Sequence, residues 1–391
     1  MFDVCIVGGG MVGSACAVGL AQLGLSVALV ERYIPKPFAA EQAPDLRVSA
    51  ISYSSERFFQ ELGIWPHVEN MRLCPYKRLS VWEKPDARTD FNCADIGVSH
   101  LGHIVENRVI QLASHQRLDS LANVSCFWQQ AIKSIELKPS VKVTLDNDQL
   151  IEAKVLIGAD GVNSLVRTCA NIGVQGWNYS QQALGINIKI NAPQQDITWQ
   201  QFTPQGPVAF LPLYGQHGAL VWYNHPAKIQ QLKNLSRAQL KQQIVQHFPA
   251  ELMDFEILDF ASFPITRMHA NHYVKDNVVL VGDAAHSINP LAGQGVNLGF
   301  KDVQALLGVF AKNLKQLQSV TQLHSKHLTW LAEYQQSRRR DNLLMMSAMD
   351  ALYLTFGNEL GPLQVLRNTG LFLANRAGPI KAKVMKYAMG L

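Results

Sequence analysis

The chain has few of the features that mark several large protein classes. Its six cysteines are scattered without CxxC spacing, so a thiolate metal site is not expected and a reducing compartment suits the chain. No apolar run approaches the ~20 residues that a membrane-spanning helix needs. Charged residues make up only 17%, the net charge is +5, and no basic block of the nucleic-acid-binding type occurs. These absences predict a globular protein without a resident metal, a membrane span or a nucleic-acid partner.

Apolar residues are plentiful instead, at 48% of the 391 residues, and this length can bury a large core in two closely joined domains. The first predicted strand begins at Phe2 and leaves no room for a signal or transit peptide, so we expect a cytoplasmic location. The densest basic cluster runs from Arg338 to Arg340, and we interpret it as a solvated helix face.

A glycine-rich turn follows the first apolar run. Gly8, Gly10 and Gly13 lie at GxGxxG spacing, and a second apolar run ends at Glu31, 18 residues after Gly13. In such a strand–turn–helix–strand unit, the glycines allow a tight turn, the approach of a pyrophosphate and the packing of the helix. The helix N-terminus adds free N–H groups, and Glu31 is placed to accept hydrogen bonds from a ribose. The unit predicts a dinucleotide site, and taken alone it would also suit an NAD dehydrogenase.

The later sequence changes character twice. Residues 183–223 contain short alternating strands broken by proline and glycine, which is typical of an antiparallel sheet, and residues 278–281 return to a buried apolar strand. The fold class predicted is α/β, with a Rossmann-like nucleotide-binding domain interleaved with an antiparallel-sheet domain and followed by a helical C-terminal segment. The predicted nucleotide-binding domain comprises residues 1–75, 101–175 and 262–330, the sheet domain residues 76–100 and 176–261, and the C-terminal segment residues 331–391.

Two further glycine–acid motifs follow predicted strands. In the first, Asp160 precedes Ser164 and Arg167 and is placed to orient arginines or cofactor hydroxyls. In the second, Asp283 follows a strand, and the next loop exposes backbone N–H groups at a helix start, where they can stabilise negative charge on a ring. We interpret His286 as a packed histidine rather than as a catalytic base.

In order, the three motifs read GxGxxG, DGxxSxxR and GDAAHxxxPxxGQGxN. This set resembles the FAD-dependent aromatic hydroxylases of the para-hydroxybenzoate hydroxylase fold, and over nearly the whole chain the sequence is most similar to their ubiquinone-biosynthesis branch. The resemblance implies FAD as resident cofactor, NAD(P)H as a transient electron donor without a Rossmann domain of its own, and O2 as co-substrate. It also implies ring hydroxylation of a polyprenylated benzoquinol or phenol through a flavin hydroperoxide. The last open ring carbon of a demethoxy quinol is the expected position, and sister enzymes act on other ring carbons.

The resemblance also assigns roles to individual residues. It implies that the ADP half of FAD is bound by Gly8, Gly10, Gly13 and Glu31. It places Arg32 and Arg47 near the ribose and the flavin side, Arg108 near the pyrophosphate, and Asp283 at the ribityl and phosphate region. It also implies that Asp160 serves FAD and the nicotinamide donor, and that the flavin ring edge is surrounded by Pro290, Gly293, Gln294, Gly295 and Asn297.

We expect the antiparallel sheet to cover the flavin, because a reactive flavin–oxygen adduct must be shielded from water. Candidates for a flat apolar pocket on this sheet are Phe202, Phe210, Leu211, Pro212, Leu213 and Trp222, although each suits an ordinary sheet core equally well. The tyrosine pair that deprotonates the phenol in para-hydroxybenzoate hydroxylase is not found, so no catalytic base is assigned.

Residues 362–391 carry five basic residues, no acid and interleaved leucines. A basic amphipathic helix of this kind can lie on an anionic membrane, and it can equally dock another subunit, so peripheral membrane contact, a biosynthetic protein complex and a homo-oligomer all stay open. Three other functions also stay open: a flavin hydroxylase or epoxidase of a soluble aromatic substrate, a flavoprotein reductase that does not hydroxylate, and a non-catalytic FAD-bearing scaffold.

Overall fold

The computed structural model of the protein describes residues 1–138, 140–289, 293, 295–319, 325–358 and 360–389. Its helices are, in chain order, α1 (Met11–Gln22), α2 (Tyr53–Leu62), α3 (Trp65–Glu69), α4 (Asn107–Leu118), α5 (Leu165–Cys169), α6 (Pro226–Lys233), α7 (Arg237–His247), α8 (Gly295–Ser319), α9 (Ala332–Phe356), α10 (Gly361–Arg376) and α11 (Pro379–Met389). Short 3₁₀ turns cover Cys93–Ile96, Gly282–Ala284 and Ser325–Leu331.

The strands fall into three sheets. In chain order they are β1 (Phe2–Val7), β2 (Val27–Glu31), β3 (Val48–Ser52), β4 (Cys74–Tyr76), β5 (Arg78–Trp82), β6 (Arg88–Asn92), β7 (Gly102–Glu106), β8 (Val124–Trp128), β9 (Ile132–Glu136), β10 (Val141–Leu145), β11 (Leu150–Gly158), β12 (Val174–Ile190), β13 (Ile197–Gln201), β14 (Val208–Pro212), β15 (His217–Asn224), β16 (Phe255–Ala270), β17 (Val274–Lys275), β18 (Val278–Leu280) and β19 (His286–Ser287).

The first sheet has the strand order β17-β18-β11-β1-β2-β8, and its neighbours β18, β11, β1, β2 and β8 are parallel. Strand β1 is an unbroken apolar run in which Val4, Cys5 and Ile6 are fully buried, as is typical of a central parallel strand. Helix α1 packs closely against α8, since a Cβ on Gly19 would lie 2.3 Å from Leu307 Cδ1. The carboxyl ends of β1, β11 and β18 therefore meet at one edge, where all three glycine motifs begin.

The second sheet has the order β19-β16-β12-β15-β14-β13-β5-β6 and is antiparallel except for the parallel pair β13–β5. Helices α6 and α7 cover one face, where Ile229, Leu240 and Ile244 enter a core with Phe210 and Trp222. The opposite face meets the small third sheet, β3-β7-β4.

The predicted α/β class, with its interleaved antiparallel sheet and helical C-terminal segment, is confirmed. Strand β12 begins two residues before the predicted boundary at residue 176, and β16 continues past residue 261 to Ala270. These two long strands join the units physically, because β16 is followed directly by β17 of the parallel sheet, and β19, which follows β18 of that sheet, pairs back onto the end of β16.

The C-terminal helices pack against both units. Helix α9 lies against α8, α10 lies against β6, and α11 lies beside the 3₁₀ turn at Cys93–Ile96. Within the described ranges, no helix is both long and apolar enough to cross a membrane.

Candidate functional site

The turn between β1 and α1 uses its three glycines in three different ways. Gly8 has a φ of +103°, and a Cβ on it would lie 2.4 Å from the carbonyl oxygen of Ala159. A Cβ on Gly13 would lie 1.8 Å from the carbonyl oxygen of Gly8. A Cβ on Gly10 would meet no atom within 4 Å. Gly8 and Gly13 are therefore packed tightly against protein atoms, whereas the space above Gly10 is free of them. Helix α1 begins at this point without a side-chain cap, so its first N–H groups are available to an anion.

Hydrogen bonds on both sides of Gly9 hold this turn. Its N–H donates to Glu31 Oε2 at 2.6 Å, and its carbonyl accepts from Ser14 Oγ, Gln111 Nε2 and His115 Nε2, each at 2.9 Å. Burial lowers the pKa of His115, so the ring is neutral with its proton on Nε2. Gln111 and His115 were missed in the sequence, although their i, i+4 spacing places both on one face of α4.

Glu31 lies at the end of β2 with both carboxylate oxygens near the turn. Besides Gly9, it accepts a hydrogen bond from the Tyr33 N–H at 2.7 Å. A carboxylate oxygen can accept more than one hydrogen bond, so Glu31 still has acceptor capacity for ribose hydroxyls.

The three candidate arginines lie in different surroundings. Arg108 forms a bidentate pair with Asp45, with Nε–Oδ2 and Nη2–Oδ1 distances of 2.7 and 2.9 Å. Arg47 is exposed, and its guanidinium carbon lies 4.9 Å from the ring centroid of Phe263. Arg32 is also exposed and lies over its own neighbour, Tyr33. Of the three, only Arg108 is already engaged by a carboxylate, and this pair ties α4 to the loop between β2 and β3 that carries Asp45.

Asp160 forms the second motif at the end of β11. Its Oδ2 accepts from the N–H groups of Leu165 and Val166 at 2.7 and 3.1 Å, which caps α5, while its buried Oδ1 has no hydrogen-bond partner. Arg167 connects this motif to the third, because its Nη1 donates to the carbonyl of Ala284 at 2.9 Å. The unpartnered Oδ1 is an acceptor that a bound cofactor hydroxyl could satisfy.

Asp283 opens the third motif in the 3₁₀ turn after β18. Its side chain is accessible to solvent although protein surrounds it closely, as on the floor of a cleft. Desolvation raises the pKa of this carboxyl, and the charges of His286 and Arg47 oppose the shift.

Asn297 acts as a clamp for the loop that precedes α8. Its Oδ1 accepts from the Ser52 N–H at 3.0 Å and the Ser55 hydroxyl at 2.8 Å, and its Nδ2 donates to the carbonyls of Ala50 and Gly293 at 2.8 and 3.2 Å. Because these bonds use its amide, the side chain holds the loop rather than facing a ligand directly. Gly293 has a φ of +62°, Gly295 starts α8 with no atom within 4 Å of a Cβ position, and Pro290 and Gln294 lie outside the described residues.

Comparison with known proteins identifies the family. Residues 1–329 match the FAD binding domain family. The chain is 44% identical over 390 residues to 3-demethoxyubiquinol 3-hydroxylase of Escherichia coli (strain K12), with 100% of this chain and 98% of that protein covered. It is 32% identical to ubiquinone hydroxylase UbiL of Rhodospirillum rubrum, with 99% and 89% covered. The chain belongs to the FAD-dependent hydroxylases of ubiquinone biosynthesis.

The fold of this hydroxylase is shared with more distant flavoenzymes. The solved structure of p-nitrophenol 4-monooxygenase PnpA from Pseudomonas putida matches with a TM-score of 0.76 at 18% identity, covering 100% of this chain and 96% of that one. The hydroxylase uses FAD, and NAD(P)H and O2 are the co-substrates of its class. The open space above Gly10, the unpartnered Asp160 oxygen and the accessible Asp283 fit a bound FAD.

His286 of the hydroxylase is part of a buried polar network. Only 1% of its side chain is exposed, and its Nε2 lies 2.5 Å from Asp302 Oδ2. Asp302 also accepts from Arg338 Nε at 2.9 Å and from Asn342 Nδ2 at 3.0 Å, both on α9. The interpretation of His286 as a packed histidine agrees with these contacts. The interpretation of the basic cluster as a solvated face is wrong for Arg338, which is buried in an ion pair.

The sheet of the hydroxylase presents alternate residues to opposite faces, and this divides the pocket candidates. Phe210 and Trp222 lie in the core beneath α6 and α7, away from the cofactor domain, so they cannot line a pocket above the flavin. Pro212 lies two residues after Phe210 on β14, so its side chain lies on the same face as that of Phe210. Leu211 and Leu213 lie on the other face of the sheet and pack with Ala50. Ala50 lies beside Gly293 in space, although the two are far apart in sequence.

Phe202 lies apart from the other pocket candidates, against helix α9. Its ring stacks on Phe356 of α9 with centroids 4.0 Å apart. Tyr179, Ala183 and Tyr223 form a further cluster on the face opposite α6 and α7, and the sequence did not single them out. The candidates therefore separate into two on the cofactor-facing side, one against α9, and three on or beside the opposite core.

Proposed function

We propose that this hydroxylase adds oxygen to the ring of a polyprenylated benzoquinol, at the step that its Escherichia coli relative's name describes. The single observation that carries the proposal is the 44% identity to 3-demethoxyubiquinol 3-hydroxylase over 98% of that protein. The apolar face formed by Leu211, Leu213 and Ala50 beside Gly293 supports it, because a flat ring needs an apolar surface next to the flavin edge.

Bound FAD supplies the redox chemistry, taking electrons from NAD(P)H and passing them to O2. In this proposal the chain would hold FAD with Gly10 and the start of α1 at the pyrophosphate, Glu31 at the ribose and Asp283 at the ribityl chain. Helix α8 begins at Gly295, and its N–H groups and positive dipole end would stabilise negative charge on the flavin ring when FAD is bound. The substrate-facing sheet keeps water away from the reaction.

The tyrosines on the face opposite α6 and α7 do not act as bases. Burial raises the pKa of both Tyr179 and Tyr223, and Tyr179 donates its hydroxyl hydrogen bond to Asp350. Both hydroxyls therefore stay protonated near neutral pH. The proposed reaction relies on the electron-rich quinol ring and on positioning, in line with the missing tyrosine relay.

The proposal is tested in cells that lack this protein. We expect their lipid extracts to accumulate a demethoxyquinone, and we expect the full chain, but not a Gly10→Ala variant, to restore the mature quinone. In ¹⁸O2, the restored ring hydroxyl should carry the label. Accumulation of an earlier intermediate would assign the chain to a sister step, and an unlabelled product would contradict hydroxylation.

We also infer that the exposed face of α10 contacts an anionic membrane surface from which a polyprenylated substrate is taken. Leu366 and Leu373 are 69% and 59% exposed, and Leu363, Val365 and Phe372 share this side of the helix. The basic residues Arg376, Lys383 and Lys386 lie in or after α10, in a segment without acids. Apolar side chains flanked by cations suit an interfacial helix.

The opposite side of α10 is fixed to the sheet. Arg367 is buried, and its Nε lies 2.7 Å from Glu83 Oε2. Its charge is therefore paired within the protein, and Arg367 is not among the basic residues that could contact a membrane. Thr89 Oγ1 donates to the carbonyl of Leu371 at 2.8 Å. Deleting the tail would therefore leave Glu83 buried without its partner, and point substitutions on the exposed face are the better test.

The membrane proposal predicts weaker vesicle binding by a Leu366→Glu/Leu373→Glu variant. Each buried leucine contributes about 1.5–3 kcal/mol, so binding to phosphatidylglycerol-containing vesicles should fall more than roughly tenfold in a flotation assay. A Leu150→Glu/Val245→Glu variant, equal in charge and also altered at exposed apolar residues, should bind like the wild type. Equal binding by all three proteins would contradict the proposal, and equal binding with a changed oligomeric state would favour subunit docking.

A further inference from the structure

Glu56, His100 and His103 converge beneath the third sheet. Glu56 lies in the first turn of α2, His100 lies in the loop before β7, and His103 lies within β7. One ligand-type atom from each of the three lies within 4.8 Å of the other two. Their side chains are at most 14% exposed, so the cluster is enclosed by protein.

The hydrogen bonds around this cluster are incomplete. His100 Nε2 lies 2.6 Å from Glu56 Oε2. His103 Nδ1 is buried and lies 3.2 Å from the same oxygen, a contact at ion-pair distance that lacks good hydrogen-bond alignment. A buried imidazole nitrogen held this loosely would be stabilised by a better-aligned partner.

The surrounding side chains already orient two of the three groups. Ser99 Oγ lies 2.8 Å from His100 Nδ1, which turns Nε2 toward Glu56. Gln60 Nε2 donates to Glu56 Oε1 at 3.1 Å, which leaves Oε2 facing the two histidines. Partners of this kind fix the orientation of metal-ligating histidines and carboxylates in proteins.

We propose that Glu56, His100 and His103 form a binding site for a divalent transition metal, with Zn²⁺ as the best fit. Two imidazoles and a carboxylate suit Zn²⁺, whose bonds to them are about 2.0–2.2 Å long. In a tetrahedral site such bonds place ligand atoms roughly 3.3 Å apart. The distance from Oε2 to His103 Nδ1 already matches, the distance from Oε2 to His100 Nε2 is shorter at 2.6 Å, and metal binding would move the His100 ring outward.

The site departs from the expectation of no metal, which rested on the cysteine spacing and does not apply to a site of two histidines and one carboxylate. It also lies beside the cofactor machinery. Glu56 follows Ser55, whose hydroxyl donates to Asn297 at 2.8 Å, and Asn297 holds Gly293. A metal that joins α2 to β7 therefore stabilises the support of the flavin-edge loop, and a fourth coordination position is left for water.

The experiment uses the full-length hydroxylase with FAD bound, dialysed against a chelator and then against metal-free buffer. We expect one Zn²⁺ per chain by calorimetric titration, a Zn²⁺-dependent rise in the unfolding temperature, and the visible absorption of four-coordinate Co²⁺ when cobalt replaces zinc. His100→Ala and Glu56→Gln should each weaken Zn²⁺ binding at least tenfold and remove the rise in unfolding temperature. His247→Ala, which removes an exposed histidine on α7, should bind like the wild type.

His100 is the least buried of the three ligands, and its variant tests the site even if the Glu56 variant folds poorly. Absence of stoichiometric Zn²⁺ binding by the wild type would overturn the proposal. So would binding that survives both ligand substitutions, because it would place the metal on surface histidines.

Discussion

Gly13→Ala should prevent the cofactor domain from folding, whereas Gly10→Ala should yield a folded protein that has lost FAD. A Cβ on Gly13 would lie 1.8 Å from the Gly8 carbonyl oxygen, which is a backbone atom and cannot rotate away. Gly8 cannot retreat, because it already lies against the backbone of Ala159. Helix α1 must therefore separate from β1, and we expect a loss of roughly 4 kcal/mol or more, a large part of a typical stability of about 5–15 kcal/mol.

The same methyl group has a different consequence at Gly10. It meets no protein atom within 4 Å, so the fold should tolerate it within about 1 kcal/mol. The space it fills is the approach to the backbone that the pyrophosphate of FAD needs. We expect FAD affinity to fall by at least roughly a hundredfold while the circular dichroism spectrum is unchanged.

Gly308→Ala is the matched control for both variants. Gly308 lies in α8 with no atom within 4 Å of its Cβ position, so alanine should be neutral or stabilising by up to about 1 kcal/mol. Soluble yield, chemical unfolding and the FAD content after gel filtration distinguish the three proteins. A stable Gly13→Ala protein that retains FAD, or an unfolded Gly10→Ala protein, would contradict the geometry.

Asp302→Asn should destabilise the hydroxylase by about 3–5 kcal/mol, because it removes the anion from a buried network that contains a cation. The Asp302 carboxylate lies between His286 and Arg338, and Gly282 N–H also donates to it at 3.1 Å. Asparagine keeps the shape but cannot balance the charge of Arg338 or accept every bond. Helix α9 should loosen from α8 together with the turn that carries Asp283.

Lys312→Met is the control for this second prediction. Lys312 and Glu333 also link α8 to α9, with Nζ and Oε2 3.7 Å apart, but their side chains are 71% and 55% exposed. Water screens this pair, so we expect a loss below about 1 kcal/mol. Urea unfolding of both variants gives the comparison, and equal losses would contradict the dominant role of the buried network.

The acid dependence of stability gives a second readout for Asp302. Burial would raise its pKa, but the charge and hydrogen bond of His286 outweigh this and lower it from the ordinary 3.8. The contribution of Asp302 is therefore present above about pH 4 and is lost as pH falls through the lower pKa of the folded state. The free-energy gap between wild type and Asp302→Asn should narrow on acidification, and a widening gap would contradict the assignment.

Local sequence patterns predicted the parts of the site that local geometry forms. Gly8, Gly10 and Gly13 lie on one turn, so their spacing alone predicts the geometry of that turn. Strand alternation likewise predicts that Phe210 and Leu211 face opposite ways, but it does not tell which face meets the cofactor domain. That choice depends on how α6, α7 and the third sheet pack, which is set by contacts distant in sequence.

The same reason explains the residues that sequence reasoning missed. Arg338 stands in a basic run that suits a water-exposed helix, and it is buried because α9 meets Asp302, 36 residues earlier in the chain. Glu56 and the two histidines are 44 and 47 residues apart and carry no recognisable spacing until α2 and β7 are placed together.

The hydrogen bonds of Asn297 determine which contacts of the enzyme can form early and which must form late during synthesis. Its partners Ala50, Ser52 and Ser55 lie between 242 and 247 residues earlier in the chain. The partners of the Gly8–Gly13 turn, from Glu31 to Ala159, all lie in the first 160 residues, whereas Asn297 joins Gly293 to Ala50 only after residue 297 has emerged. Incomplete chains can therefore complete the glycine turn well before the contacts around Gly293 exist.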